Sequence, residues 1–138
     1  CADCAGKASR APAAPAAGVV LNSVSFMPAF VGCSFLSRDE MAGFIEPGVQ
    51  AFLETGRMPS CLSGRRSLGY DYGLLLHNLV FFGHPAREKA VVAMLDLLDP
   101  TGSWVEYYDG DKPFNCRCRP WESGINIEAL AGYIRSLS

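Results

Sequence analysis

Apolar positions fall into blocks separated by glycine and proline. Val19, Val20, Leu21, Val24, Phe26, Met27, Phe30, Val31, Phe35 and Leu36 form a run broken by Pro28 and Gly32. It predicts a buried piece, helical or extended, since periodicity does not separate the two. Met41, Phe44, Ile45, Phe52 and Leu53 recur near helical spacing. Ser37-Arg-Asp-Glu40 opens that stretch as a capping box, and Gly56 closes it. Pro47 predicts a kink or two half-helices. A further helix is expected from about Tyr70 to Phe82, with Tyr72, Leu75, Leu76, Leu79 and Val80 inward and Gly83 as its stop. Residues 85–98 follow, with Pro85 at the first turn and Val91, Met94, Leu95 and Leu98 as the apolar positions. The short Gly83–Pro85 link makes these two helices an antiparallel hairpin. A last helix, from about Gly124 or Asn126 to Leu137, carries Ile127, Leu130, Ala131 and Ile134.

Between these blocks, residues 1–18 read as an irregular Ala/Pro-rich arm and 57–69 as a polar loop. The reading is an all-α chain: the arm 1–18, then a helical-hairpin domain over 19–138. Its connections are long and aromatic for a simple bundle, which points to part of a larger helical array.

Composition narrows the classes. Only 19% of residues are charged, which fits a surface partly covered by other protein. The net charge of -2 and the lack of a basic block exclude an electrostatic nucleic-acid footprint. No apolar run is long enough to span a membrane. Residue 1 is not methionine, so the start reads as a processed, trimmed or cloned end. The six cysteines are Cys1, Cys4, Cys33, Cys61, Cys116 and Cys118. Cys1-Ala-Asp-Cys4 has a zinc-knuckle gap, but Cys116-Arg-Cys118 does not match it as the second pair, so free buried thiols are expected and no metal. No P-loop, dinucleotide fingerprint or metal triad is present, and no cofactor is expected.

The chemistry-bearing stretch is Gly102-Ser-Trp-Val-Glu-Tyr-Tyr-Asp-Gly-Asp-Lys-Pro113. Its glycines, aspartates and proline predict a loop. It gathers Trp104, Tyr107 and Tyr108 around Glu106. Aromatic faces stack on pyranose rings, and a carboxylate can move a proton or orient water. The same rings could equally anchor a buried loop. Glu122, beside Trp121, is a second candidate carboxylate or simply an acid at a helix N-terminus. Asp71, between Tyr70 and Tyr72, could bind a sugar hydroxyl or serve the first turn of its helix. Arg117 and Arg119 are expected to pair with local acids or touch sugar hydroxyls. His77 reads as a core or interface residue and His84 as a cap or an exposed side chain.

The order of these signals resembles the C-terminal third of the (α/α)6-toroid glycoside hydrolases: trehalases, processing α-glucosidases and glucoamylases. The matching series is Phe26-Met-Pro28, Ser37-Arg-Asp-Glu40, Met58-Pro-Ser60, Gly69-Tyr-Asp-Tyr72, the turn at Gly83, Glu106-Tyr-Tyr-Asp-Gly110 and Trp121-Glu-Ser-Gly-Ile-Asn126. It covers about residues 26–137. The resemblance implies an inverting mechanism with Glu106 as general base, activating water opposite the leaving group. It implies that Trp104, Tyr107, Tyr108 and Trp121 line a sugar subsite, and that Tyr70, Asp71 and Glu122 stand near it. The general acid and the remaining helices would come from the rest of the enzyme or from another chain, and the partner would be an oligosaccharide or glycoside. The alternative is a small helical interaction module in which the aromatic loop and the cysteines serve packing.

Overall fold

The structure is a computed structural model that describes residues 22–58, 66–117 and 119–138. The expectations for the arm 1–18, most of the polar loop 57–69, and Cys1, Cys4, Cys61 and Cys118 lie outside the described residues. Among those described there are five helices and one three-stranded sheet. The chain is mostly helical, as its apolar spacing predicts.

Helix α1 (Asn22–Phe30) makes the middle of the first apolar run helical, and Val31, Phe35 and Leu36 follow it outside the helix. Helix α2 (Arg38–Thr55) carries the capping box in full: the Glu40 amide donates to Ser37 Oγ, and the Ser37 amide donates to Glu40. Contrary to the expected break, α2 runs continuously through Pro47. Pro47 and Gly43, four residues before it, are both exposed, so water can satisfy the carbonyl that loses its partner. The buried face is Met41, Ile45, Val49 and Phe52, while Phe44 is half exposed.

Helix α3 (Asp71–Phe82) is the centre of the fold and packs against α1, α2, α4 (Arg87–Asp96) and α5 (Pro120–Arg135). Its burial explains its composition. Leu74, Leu75, Leu76 and Leu79 are almost completely enclosed, so it needs apolar residues on more than one face. The polar Asn78 is tolerated inside because its amide donates to the carbonyls of Phe26 and Leu74, both at 2.8 Å. Gly83 ends α3, and His84 Nδ1 accepts from the Ala86 amide, which makes His84 a turn cap. His77 is half-buried, edge-on to Phe30, and burial pushes its imidazole pKa down.

Two expectations for helix faces need correction. Leu95 is exposed on α4, whose inward residues are Ala90 and Met94. Helix α5 starts at Pro120, earlier than predicted, and buries Glu122, Asn126 and Ala129. Ile127 and Ile134 face outward. The apolar stripe satisfied the helical period, but close backbone contact with α3 turned a small and polar face inward instead.

The stretch expected to be a loop is a β-hairpin. Strand β2 (Val105–Asp109) pairs antiparallel with β1 (Arg66–Leu68) on one side and with β3 (Lys112–Arg117) on the other. Asp109-Gly110-Asp111-Lys112 makes the turn, with Gly110 at φ 65°. Pro113 argues against a strand but fits here, because β3 is the edge of the sheet.

Candidate functional site

The hairpin is bolted to the helices by two of its aromatic residues. The last carbonyls of a helix have no partner within it, and α4 has no basic side chain in its last turn. Trp104 Nε1 donates to the Met94 carbonyl at 2.8 Å, and the Tyr108 hydroxyl donates to the Leu97 carbonyl at 2.9 Å. The same hydroxyl accepts from the Val105 amide. Trp104 and Tyr108 are both buried. This corrects the reading of them as sugar-contacting rings: they are core anchors that fix where β2 stands. Tyr107 is half-buried in the sheet, opposite Leu68 and Phe114.

A second set of contacts brings the hairpin to α5. The Gly69 amide donates to the Glu106 carbonyl at 2.9 Å, and Asn126 Nδ2 donates to the Gly69 carbonyl at 2.9 Å. A side chain at Gly69 would strike the Val105 carbonyl oxygen, and one at Gly73 would strike Asn126. These two glycines let β2, α3 and α5 approach backbone to backbone. The approach seats Glu122, which is 1% exposed, beside Gly69.

The result is a cluster assembled from distant parts of the chain. Arg119 Nη1 pairs with Glu106 Oε1, and Arg119 Nε lies 3.6 Å from Glu122 Oε2. Asn115 Nδ2 donates to the other Glu106 oxygen at 2.5 Å. Glu106 stands opposite a bulge between its neighbours' pairings, and Asn115 on β3 takes a left-handed φ of 72°. That conformation is uncommon outside glycine, although asparagine is among the residues that tolerate it best. Its amide thus joins Arg119 in holding Glu106. The Tyr70 and Trp121 rings meet edge to face at 6.4 Å, and Trp121 is 59% exposed. Of the residues singled out from sequence, Glu106, Glu122, Tyr70 and Trp121 are therefore gathered by shared contacts with Gly69, Arg119 and α5. The sequence marked Arg119 as an acid-pairing residue. Asn115 was missed, since nothing local signals a bulge.

Asp71 is not at this surface, which corrects its reading as a sugar ligand. It is fully buried; its Oδ2 accepts from Asn22 Nδ2 at 2.8 Å and from the Leu68 amide at 3.4 Å. It ties α1 to the start of α3. Burial raises its pKa to about 6, against the opposing effect of those two donors. The unfolded chain releases this proton near the ordinary aspartate value, so the folded state holds it to higher pH. Stability should therefore fall as pH rises from about 4 to about 6, by about 3 kcal/mol, and level off above. Urea titrations of the wild type and of Asp71→Asn test this: the variant should lose that slope.

A separate cleft of about 380 Å³ lies among Thr55, Arg57, Tyr72, Asp96, Leu97 and Asp111, where Arg57 pairs with Asp111. None of the residues singled out above as a candidate sugar contact lines it. Among the described residues no group of histidine, cysteine and acidic side chains could hold a metal ion, and no helix is long and apolar enough to cross a membrane. Cys33 and Cys116 are free thiols, but Cys33 is only half-buried and Cys116 is exposed, which corrects the expectation of buried ones. A comparison of the chain with known protein families, curated proteins and solved structures finds no match.

Proposed function

We propose that this chain is the C-terminal portion of an inverting glycoside hydrolase of the (α/α)6-toroid kind, with Glu106 as general base. The observation that supports this reading is the convergence of Glu106, held on both oxygens by Arg119 and Asn115, with the aromatic pair Tyr70 and Trp121. An oriented carboxylate can draw a proton from a water molecule as that water attacks the anomeric carbon. The exposed indole of Trp121 offers a face on which a sugar ring can stack. The general acid protonates the leaving oxygen from a part of the enzyme outside this chain. Apolar side chains left outward at Val24, Val31, Phe35, Ile127, Ile134 and Leu137 fit helical hairpins that further hairpins would cover.

A second reading is a helical interaction module, favoured by the burial of Trp104 and Tyr108: half of the aromatic shell around Glu106 serves packing. The stereochemistry of the product distinguishes the two. Proton NMR of the first product formed from a glycoside by the native species should show the inverted anomer. A retained anomer, or no hydrolysis of any glycoside, contradicts the role given to Glu106.

A further inference from the structure

Glu122 presents an unfinished arrangement. Its carboxylate is almost wholly excluded from water, yet neither of its oxygens accepts a hydrogen bond. Leaving a buried charged acceptor without a donor is costly. Arg119 Nε lies 3.6 Å from Glu122 Oε2, close enough for attraction but too far for a hydrogen bond. Arg119 is meanwhile committed through Nη1 to Glu106. One guanidinium thus stands between two carboxylates. Through Nη1 it pairs with the outer one, which is 14% exposed, and through Nε it is only attracted by the inner one.

We propose that Arg119 is a positioning residue that moves from Glu106 to Glu122 when Glu106 engages a ligand, so that Glu122 acts as the counter-anion that makes Glu106 available. While Arg119 is held by Glu106, it occupies an oxygen that a water or sugar hydroxyl would need. Withdrawing a guanidinium from a carboxylate is costly unless another anion receives it. Glu122 is that anion, since both of its oxygens lack a donor. Arg119 is one-third exposed and sits just before the first turn of α5, so its head can shift while its backbone stays fixed. The other Glu106 partner, Asn115, carries no charge and keeps the carboxylate oriented after the guanidinium leaves. Displacement of Arg119 thus follows from engagement of Glu106, and no other part of the cluster need move.

The inference rests on the glycosidase reading only for the event that draws Glu106 away; its geometry is testable without a sugar. Glu106→Gln removes the outer charge and should mimic the engaged state. A crystal structure of that variant of the full chain should show Arg119 hydrogen-bonded to Glu122 at about 3 Å. Exchange of the Arg119 Nε proton in solution should slow by about tenfold or more relative to wild type. Glu106→Ala, which leaves no acceptor at all, provides the same reading should the glutamine variant fail to fold. A guanidinium that stays at residue 106, or turns to solvent and leaves Glu122 without a donor, overturns the proposal. Transfer seen in these variants without any hydrolysis by the native species would sink the glycosidase reading and leave the movement of Arg119 standing. Hydrolysis without transfer would do the reverse.

Discussion

Exchanging Glu106 for glutamine should lower glycoside hydrolysis by about 10²–10⁴-fold, the usual contribution of a positioned general base. The side-chain carbonyl of glutamine keeps the shape and can still accept from Asn115, so residue 106 should stay oriented while Arg119 turns to Glu122. What it loses is the ability to take a proton from water. Sugar affinity should therefore hold while kcat falls, the signature of an interaction made only in the transition state. Trp121→Ala should behave in the opposite sense, raising KM with a smaller effect on kcat, because a stacking face binds ground state and transition state alike. Steady-state kinetics on the native species, with sugar binding measured by calorimetry on the inactive variant, separate these outcomes. An unchanged kcat in Glu106→Gln would remove the residue from the chemistry.

The largest effect on stability is expected at Gly69. An added Cβ would sit 1.9 Å from the Val105 carbonyl oxygen and 3.0 Å from Glu122 Cγ. Neither the strand backbone nor a buried carboxylate can yield cheaply. The Gly69→Ala chain must part β1 from β2 and loses the hydrogen bonds that Gly69 makes to Glu106 and Asn126. Overpacking together with two lost hydrogen bonds gives a destabilisation of about 3–5 kcal/mol. Gly43→Ala is the matched control. Gly43 lies inside α2 with nothing near its added Cβ, so alanine there should stabilise by about 0.5–1 kcal/mol. Urea denaturation of the two variants should move in opposite directions. A Gly69→Ala chain as stable as wild type would mean that the hairpin does not dock as described.

The helices were legible because their signals are local. Ser37 and Glu40 announce α2, Gly56 and Gly83 end their helices, and the leucines of α3 mark the centre. The hairpin was not legible because its glycines, aspartates and Pro113 together read as a loop, although Asp109-Gly110 is equally a hairpin-turn signal. Only the sheet order, which leaves β3 at the edge, reconciles the two. The face of α5 failed for a longer-range reason. Which side of that helix turns inward depends on Gly73 and Gly69 allowing α3 and β2 to come close, and this seats Glu122 and Asn126 inside. The candidate site was partly legible on the same grounds. Glu106, Trp121 and Glu122 stand out by type and by neighbours. That Trp104 and Tyr108 face α4 follows from unpaired carbonyls at the end of that helix, a demand visible only once the elements are placed.

Whether this chain contributes the base to a glycosidase completed by other protein can be decided by isolating the native species without denaturant and measuring its mass and its hydrolysis of glycosides together. The expected result is an active species larger than the 14.9 kDa of this chain and containing it. A folded, inactive 14.9 kDa monomer as the complete native protein would contradict it, and Glu106 would then be an acid that only ties a hairpin to a helix.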